Sequence, residues 1–442
     1  MSITRRNFIK AAGATAALAY LPRTVGAATT DFDVVVVGGG FAGATVAKYI
    51  RMWSGYELSV ALVDANPDHT SCVLSNLVLN GRMQLSELKL PLSRLATNHG
   101  VAIFVGTAAS ISPGQVDPTT GRSLTLGQVT LAEGRTTLQC KRMVLATGIS
   151  FTQIPGWNPE EIPHAWIAGP QTTLLRKQLL TLRKGDTFVM TIPKAPYRCP
   201  PGPYERACVV ADMLKRLNGG KVIIVDENTD IVAEKHTFRT AFNTIYKDII
   251  DYKTNTRIDK VIFDSSRNLR AVVTTLGETI PGKVVNVIAP HRAPALLTDP
   301  ILGLADGVGW VPVDPLTYET TQRAGSGIHV IGDSCTAPEQ PKSGHMANSQ
   351  AKVCADAIVR YLSGLNPLHD LERTRNITTN SACYSPITYS EASWLTANYR
   401  YDLTSKKMVL ATPAPGEAPK WDGENFEDMF TWASNLFTDS FT

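Results

Sequence analysis

Short, continuous apolar runs recur along the chain, each followed by a turn and a helical pattern. The first two cover residues 33–37 and 58–63, and a later pair covers residues 187–191 and 222–226, with a helix predicted between them over 204–217. Runs without polar alternation are typical of parallel strands that are buried on both faces. The pattern therefore predicts an α/β fold that contains at least two strand–helix–strand units.

A glycine fingerprint follows the first apolar run. Gly38, Gly40 and Gly43 have the G-x-G-x-x-G spacing, and Asp64 ends the second run about 20 residues later. The first glycine permits a tight turn, the second lets the backbone approach a pyrophosphate, and the third allows close packing of helix on strand. The acid is placed to bond ribose hydroxyls. We expect a dinucleotide site here rather than a glycine turn without a ligand.

Two later segments favour FAD over NAD. Thr147 and Gly148 follow the apolar run 143–146, and Gly332 and Asp333 follow the run 328–331. Both resemble the strand-and-turn motifs that complete the FAD site of flavoproteins with two dinucleotide folds, which places Asp333 near the ribityl and phosphates. A helix predicted over 348–362 would direct its positive N-terminal end at the flavin. Since these motifs flank residues 187–226, we predict a discontinuous FAD domain.

The loop of the second strand–helix–strand unit is unsuited to phosphate. It carries Cys199 and five prolines where a nicotinamide-binding domain needs glycines, namely Pro193, Pro196, Pro200, Pro201 and Pro203. Proline has no backbone N–H to donate to a pyrophosphate. The loop therefore makes an NAD(P)H-dependent reductase the least favoured alternative, and it predicts thiol chemistry in place of nicotinamide binding.

The N-terminus indicates export. Arg5 and Arg6 precede an uncharged apolar run over residues 11–21 and small residues that end at Ala27, which is typical of a twin-arginine signal peptide cleaved after Ala27. The alternative is a buried amphipathic helix. A twin-arginine signal predicts export of the folded, cofactor-loaded protein to the periplasm. No other apolar stretch approaches the roughly 20 residues that a membrane span requires, so we predict no membrane span.

The composition of the chain limits which cofactors and partners it is expected to bind. The 442 residues, 43% of them hydrophobic, suffice for about three domains. A net charge of +4 gives no support for nucleic-acid binding. Seven cysteines are an odd number, so at least one lies outside an intramolecular disulfide. None stands in a Cys-x-x-Cys-His haem motif or in a zinc-site spacing, which predicts an organic cofactor and no metal.

At this level the chain resembles the flavoprotein subunits of flavocytochrome c sulfide dehydrogenases, within the sulfide:quinone reductase and disulfide-reductase-like superfamily, over nearly all of its mature length. The resemblance is strongest in four segments, at residues 69–76, 199–205, 341–350 and 380–385. It implies two Rossmann-like domains of glutathione-reductase type and a C-terminal α+β interface domain. After a signal at 1–27, the FAD-binding domain is expected in two segments, 28–152 and 289–367. They flank the second Rossmann-like domain at 153–288, and the interface domain follows at 368–442.

The resemblance assigns flavin contacts. In that family a cysteine after the second FAD strand is joined covalently to the flavin, and Cys72 holds that position. Val73 stands where the family usually has an aromatic residue, and the alternative for Cys72 is a small buried hydrophobe. Lys342, in the third matching segment, is a further expected cofactor-binding residue.

The resemblance also assigns a redox disulfide to Cys199 and Cys383. A structural staple between domains is the alternative, since closure of so long a loop can contribute roughly 4 kcal/mol. Glu205 matches an acid of the family and is the expected proton acceptor for sulfide. Its alternative role is a carboxylate at a helix N-terminus. The remaining four thiols are expected in the core, with a role for Cys335, or its bridge to Cys354, as the alternative; they are Cys140, Cys208, Cys335 and Cys354.

The implied function is oxidation of sulfide to sulfane sulfur or polysulfide through this disulfide and FAD. Electrons would pass to a separate c-type cytochrome subunit, which alone carries haem c, in a heterodimer. The alternatives are a sulfide:quinone reductase, for which residues 424–437 could supply a membrane-binding amphipathic helix, and a non-catalytic flavin-bearing binding protein of sulfur oxidation.

Overall fold

The computed structural model describes residues 28–134, 136–337, 339–411 and 416–442. The predicted signal peptide, residues 1–27, lies outside the described residues. The elements of the N-terminal third of the chain alternate between strand and helix. Its strands are β1 (Ala28–Val37), β2 (Val60–Asp64), β3 (Asp68–Thr70), β4 (Lys89–Pro91), β5 (Ala102–Val105), β6 (Ala108–Ser112), β7 (Gln115–Val116), β8 (Ser123–Thr125), β9 (Gly127–Leu131), β10 (Thr136–Leu145) and β11 (Ser150–Phe151). Its helices are α1 (Phe41–Trp53), α2 (Ser75–Leu79) and α3 (Ser93–His99), with a 3₁₀ turn at Leu85–Leu88.

The central region of the chain repeats this alternation and adds an antiparallel hairpin region. Its strands are β12 (Thr187–Ile192), β13 (Lys221–Asp226), β14 (Ile250–Lys253), β15 (Ile258–Asp264), β16 (Leu269–Thr274), β17 (Thr279–Pro281), β18 (Val284–Val287) and β19 (His291–Arg292). Its helices are α4 (Pro170–Leu179), α5 (Gly202–Arg216), α6 (Lys235–Asn243) and α7 (Ala295–Thr298).

The C-terminal region combines short strands, one long helix and an antiparallel sheet. Its strands are β20 (Val311–Pro312), β21 (Ile328–Val330), β22 (Cys335–Thr336), β23 (Thr378–Pro386), β24 (Ala392–Asp402), β25 (Lys407–Leu410) and β26 (Gly416–Glu417). Its helices are α8 (Gly344–Leu362), α9 (Leu371–Asn376) and α10 (Gly423–Phe441), with a 3₁₀ turn at Gly332–Ser334.

Two parallel sheets carry the predicted apolar runs. In the first, β5, β2, β1 and β10 are parallel neighbours, and β21 pairs with β10 although the second sheet lies between them in sequence. The second sheet is β14-β13-β12-β18, also parallel. Val34, Val35 and Val36 of β1 are fully buried, because α1 and its neighbours cover the sheet. Together with the C-terminal antiparallel sheet, this confirms the predicted α/β fold class.

The C-terminal helix packs inside the protein. Helix α10 contacts α1 and the antiparallel strand β24. Five of its apolar side chains are buried, namely Phe426, Met429, Ala433, Leu436 and Phe441, and three are half-buried, namely Phe430, Trp432 and Phe437. The apolar face that a membrane-binding helix would need is therefore already covered. Across the described ranges, no helix has the length and apolarity needed to cross a bilayer.

Helix α8 begins earlier than the sequence pattern predicted. We expected it to start near Asn348, but it starts at Gly344, so that prediction was wrong. Ser343 is the N-cap, and its Oγ accepts a hydrogen bond from Met346 N at 3.1 Å. The capping serine satisfies a backbone donor of the first turn and so offsets the helix-weakening glycine that follows it.

Candidate active site

The glycine turn after β1 leads into α1 and leaves the N-terminal end of that helix accessible. Gly38 has a left-handed φ of +102°, and a Cβ there would lie 2.4 Å from the carbonyl oxygen of Ala146. A Cβ at Gly43 would lie 1.7 Å from the carbonyl oxygen of Gly38. Gly40 is the N-cap, no side chain caps the helix, and a Cβ at Gly40 would meet only the His69 ring, at 3.6 Å. The helix N-terminus is therefore open to an anionic group.

Asp64 ends β2 beside this turn. Its Oδ2 accepts a hydrogen bond from Gly39 N at 2.7 Å, and its Oδ1 accepts one from Asn66 N at 2.8 Å. The carboxylate thus braces the glycine turn. Each of its oxygens keeps a further lone pair, so the bond to ribose hydroxyls stays a prediction compatible with this geometry.

A second wall is formed by the segments that follow β10 and β21. Ser334 Oγ donates to the carbonyl oxygen of Gly148 at 2.6 Å and lies 3.1 Å from Thr147 Oγ1. Gly148 has a φ of +69° with open space where its Cβ would be, and Gly332 has a φ of +73°. The paired strands therefore bring Thr147, Gly148 and Gly332 to one edge of the sheet. Residues that contact the same FAD molecule, as predicted for these three, need this proximity.

Asp333 and Lys342 lie at the same edge. Asp333 Oδ1 is buried without a hydrogen-bond partner, and Oδ2 lies 3.9 Å from Arg198 Nη1. Burial raises the pKa of Asp333, while Arg198 and Lys342 oppose that rise. Lys342 Nζ donates to the carbonyl oxygens of Asp333 and Cys335, at 2.9 and 2.7 Å, and lies 3.7 Å from the Trp310 ring centroid. The lysine is thereby held in one position.

These residues fit FAD. The glycine turn leaves a helix N-terminus open, and two buried polar atoms beside it, His69 Nε2 and Asp333 Oδ1, have no partner within the protein. Unpaired buried polar atoms are costly, and polar groups of a bound FAD could pair with both. Gly40 and its neighbours would hold the pyrophosphate, and Asp333 would bind the ribityl and phosphate side.

Three cysteines line one cavity next to this region. Cys72 lies between β3 and α2, Cys199 in the loop between β12 and α5, and Cys383 in β23. All three are half-buried, and their sulfur atoms are not bonded. The other four thiols are buried, as expected, and none forms a bridge; they are Cys140, Cys208, Cys335 and Cys354. The fold therefore gathers the cysteines that the sequence singled out.

The Cys199 loop is anchored to the flavin side of the fold. Cys199 has a φ of +59°, and its backbone N donates to the carbonyl oxygen of Lys342 at 2.7 Å. Gly202, where α5 starts, donates its N–H to the carbonyl oxygen of Cys199 at 3.0 Å. A Cβ at Gly202 would lie 2.8 Å from Cys199 Sγ. The glycine therefore leaves room for the sulfur, and the prolines around it shape a thiol site.

Glu205 lies in the wall of this cavity, on the first turn of α5. Its side chain is buried, with 8% of the residue exposed, and its Oε1 accepts a hydrogen bond from Asn76 Nδ2 at 3.0 Å. Burial raises the pKa of Glu205 to about 7, and the Asn76 bond and the neighbouring Arg206 limit that rise. A carboxyl with such a pKa can take up and release a proton near neutral pH.

Arg206 is a buried cation beside Glu205 that sequence reasoning missed. Only 2% of it is exposed, its Nε donates to Asn76 Oδ1 at 2.9 Å, and its Nη1 donates to Asn286 Oδ1 at 2.9 Å. The guanidinium lies 4.7 Å from the Trp166 ring centroid. Asn76 therefore bridges the acid and the cation. The sequence signal that could have identified Arg206 was its position directly after the Cys199–Glu205 segment.

The three cavity thiols are held in their protonated form when reduced. Burial raises the pKa of Cys72, Cys199 and Cys383. The guanidinium of Arg198, which also lines the cavity, opposes this rise at Cys72 and Cys199. Arg198 was not among the predicted site residues, although it directly precedes Cys199 in the sequence.

The second sheet has no free acid at the place where a nicotinamide nucleotide would need one. Asp226 ends β13, and its Oδ2 accepts hydrogen bonds from the hydroxyls of Tyr204 and Tyr252, each at 2.8 Å. Its Oδ1 accepts from the backbone N of Asn228 at 2.8 Å and from its side chain at 2.7 Å. These internal partners occupy the carboxylate, which supports the interpretation that this domain does not bind NAD.

Three family models match the chain. The model described as sulfide dehydrogenase (flavocytochrome c) flavoprotein chain, central, matches residues 172–289. The pyridine nucleotide-disulphide oxidoreductase model matches residues 32–177, and the twin-arginine translocation pathway signal model matches residues 2–22.

Solved structures show the same fold at low sequence identity. The sulfide:quinone oxidoreductase of Aquifex aeolicus has a TM-score of 0.68 at 16% identity, with 93% of this chain and 92% of that chain covered. A ferredoxin reductase for the CYP199A2 system of Rhodopseudomonas palustris has a TM-score of 0.60 at 16% identity, with coverage of 87% and 91%. Both likenesses concern the fold alone.

A curated relative is closer in sequence. The sulfide dehydrogenase (flavocytochrome c) flavoprotein chain of Chlorobaculum thiosulfatiphilum is 49% identical over 45 residues, which are 10% of this chain and 92% of that sequence. Together with the central family model and the gathered cysteines, this shows that the chain belongs to the family of flavocytochrome c sulfide dehydrogenase flavoprotein chains.

Proposed function

We propose that the chain is the flavoprotein subunit of a periplasmic sulfide dehydrogenase. It oxidises sulfide to sulfane sulfur or polysulfide with a Cys199–Cys383 disulfide and FAD, and it passes the electrons to a c-type cytochrome subunit. The observation that carries the proposal is the single cavity lined by Cys72, Cys199, Cys383 and Glu205, beside a site that fits FAD. Membership of the family supports sulfide as the substrate.

Cys72 would hold the flavin covalently. It is a half-buried thiol in the cavity wall, and the charge of Asp333 acts on it. Arg198 contributes electrostatically to both Cys72 and Asp333, which supports their proximity. A covalent bond would retain the cofactor outside the cytoplasm, where no FAD is available to replace it. The twin-arginine signal match supports that location.

The proposed reaction begins when hydrosulfide attacks one sulfur of the disulfide. The Cys199–Cys383 bond breaks, a persulfide forms on the attacked cysteine, and the other cysteine leaves as a thiolate. When bound, FAD supplies the acceptor for the electron pair. The substrate has then lost two electrons and one proton and has become sulfane sulfur.

Glu205 is the proposed acceptor of the substrate proton. It lies in the cavity wall, its Oε1 is held by Asn76, and its pKa of about 7 leaves both protonation states populated near neutral pH. A carboxylate that served only the helix dipole would gain most when ionised and exposed to water. The buried, partly protonated state of Glu205 supports the catalytic role instead.

A separate cytochrome is the proposed electron acceptor. The sequence holds no Cys-x-x-Cys-His motif, so haem c would belong to a partner subunit in a heterodimer. The quinone alternative would need a membrane-binding helix, whereas the apolar face of α10 is buried against the protein. This favours the cytochrome over a quinone.

The test is anaerobic titration of the purified, oxidised protein with sulfide and, separately, with NADH, while flavin absorbance is followed. We expect bleaching by sulfide alone and recovery on addition of cytochrome c. Cys199→Ser should abolish the bleaching, and the buried core variant Cys140→Ala should retain it. Recovery with a short-chain quinone but not with cytochrome c would indicate a sulfide:quinone reductase. Bleaching by NADH alone would refute the proposal, and no response to either reductant would indicate a flavin-bearing binding protein.

A further inference from the structure

A second buried carboxyl, Glu234, lies outside the cavity and has no role in the reaction described so far. Only 2% of the residue is exposed, and it has a left-handed φ of +49° at the N-cap of α6. Its Oε2 accepts a hydrogen bond from Ser385 Oγ, and its Oε1 has no partner. Among the described residues, no lysine, arginine or histidine forms an ion pair with it. A buried carboxyl that lacks a cation is costly to ionise.

Ser385 places this carboxyl behind Cys383. The two residues are separated by one position in β23, so their side chains lie on the same face of the strand. Ser385 pairs with Ser393 of β24, whose Oγ lies 3.2 Å from Thr237 Oγ1 in α6. The start of α6 therefore packs on the sheet face that carries Cys383, and the charge of Glu234 acts on the Cys383 thiol.

The groups whose charges raise the pKa of Glu234, and those whose pKa Glu234 raises, are acids and thiols. Glu205 and Cys208 face it from α5, Cys383 from β23, and Glu417 from β26. Glu417 Oε1 accepts a hydrogen bond from Thr237 N at 2.7 Å. Burial raises the pKa of Glu234 to about 8, and Glu205 and Glu417 add to the rise. Glu234 therefore carries a proton at neutral pH.

We propose that Glu234 stores the proton that Cys383 takes up when the Cys199–Cys383 disulfide opens, which makes it a proton donor behind the sulfur cavity. The inference rests on the proposed function. Hydrosulfide forms a new S–S bond with Cys199, next to Glu205, and the old bond's electron pair leaves with the Cys383 sulfur. The proton moves from Glu234 to that thiolate. A second hydrosulfide then removes the outer sulfur of the Cys199 persulfide as a hydrodisulfide ion and frees Cys199. When the two cysteines re-form their disulfide, their electron pair would pass to bound FAD, and the proton would return from Cys383 to Glu234.

The local electrostatics support this assignment. A thiolate at Cys383 is disfavoured, because burial raises the pKa of Cys383 and Glu234 is the largest electrostatic contribution to that rise. Proton transfer from Glu234 relieves the thiolate charge inside the protein without bringing in water. Glu205 then stays available for the substrate proton on the Cys199 side. One carboxyl thus accepts the proton of the substrate, and the other exchanges a proton with the Cys383 sulfur.

The test compares Glu234→Gln with Glu57→Gln in the flavin-bound full chain. The first readout is the rate of flavin bleaching by sulfide between pH 6 and 9. We expect the wild-type rate to fall above a pH of about 8, where Glu234 loses its proton. Glu234→Gln should bleach at least about tenfold more slowly at pH 7, as expected for loss of a proton donor, and should lack this fall. Glu57→Gln, which changes an exposed acid outside the cavity lining, should match the wild type.

The second readout needs no sulfide. After reduction with a phosphine, Cys383 is alkylated with iodoacetamide at pH 9 and quantified by peptide mass spectrometry. We expect Cys383 to react several-fold faster in Glu234→Gln, because the ionised neighbour that raises the thiol pKa has been removed. A merely structural defect would not accelerate this reaction while slowing the other. Ser385→Ala removes one hydrogen-bond donor of the carboxyl, and since that bond lowers the pKa of Glu234, the pH at which bleaching slows should rise. This variant serves if Glu234→Gln fails to fold.

The outcomes are separable. If the wild type is bleached by sulfide and the fall above pH 8 persists in Glu234→Gln, or Cys383 alkylation is unchanged, the role of Glu234 is refuted and the proposed function stands. If sulfide does not bleach the wild type, the proposed function fails, and the proton role fails with it.

Discussion

Replacement of Glu205 by glutamine should both stabilise the folded protein and inactivate the enzyme. Glutamine has nearly the same shape as glutamate and keeps a carbonyl oxygen for the Asn76 amide, but it cannot ionise. The wild-type carboxyl is buried, and its pKa rises from the ordinary value of 4.5 to about 7 in the folded chain. The folded state therefore binds more protons than the unfolded state between these two values.

The sign and magnitude of the pH effect on stability follow from this difference in proton binding. Because the folded state holds its proton longer, stability falls as pH rises from about 4.5 to about 7, and the full cost is present above that range. Each pKa unit corresponds to about 1.4 kcal/mol, so ionised Glu205 destabilises the fold by about 3 kcal/mol at pH 8. Glu205→Gln should recover about that amount at pH 8 and close to nothing at pH 4.

The assay is urea denaturation of wild type and Glu205→Gln at both pH values, with Glu57→Gln as the control because Glu57 is an exposed acid. The difference between variant and wild type at each pH removes contributions from the other groups. In the sulfide assay, the same variant should lose on the order of a hundredfold or more in rate, as for loss of a general base. A difference in stability that does not change with pH would refute the assigned pKa, and an unchanged bleaching rate would refute the catalytic role.

Three further predictions concern the flavin site and the buried cation. Gly43→Ala should yield protein with little bound flavin, since its Cβ would overlap a backbone oxygen, whereas Gly307→Ala meets open space and should bind flavin normally; the flavin-to-protein absorbance ratio measures this. Cys72→Ala should release its flavin on acid precipitation, while Cys140→Ala should keep yellow, covalently labelled protein. Arg206→Met should lower the free energy of unfolding by about 3 kcal/mol, because it leaves buried amide and carbonyl partners unpaired; urea denaturation checks this value.

Local signals in the sequence predicted much of the fold. The apolar runs and the glycine fingerprint depend on neighbouring residues only, so the strands near residues 33–37, 187–191 and 222–226 lie where we expected them. The predicted start of α8 lay four residues too late, because the helix begins directly after a capping serine, Ser343. A cap is a side-chain bond to a specific backbone donor, and apolar periodicity does not reveal it.

The predicted site was incomplete where partners come from distant segments. Glu205 was identified, but not its link through Asn76 to Arg206. Because arginines are mostly exposed, the sequence alone predicts an exposed position on the helix for an arginine next to a predicted acid. Glu234 gave no sequence signal, because its burial against Ser385 is created by packing between α6 and the C-terminal sheet.

The sequence by itself determined the strand–turn–helix units, the glycine turn that suits a pyrophosphate and the proline-rich loop that does not. These features follow from backbone conformation and hydrogen-bonding capacity, which each short segment carries with it. Only the tertiary structure decided that Cys72, Cys199 and Cys383 share one cavity and that Glu205 and Glu234 are held near neutral charge. The physical reason is that desolvation and charge proximity depend on which distant segments pack together, and no local pattern contains that information.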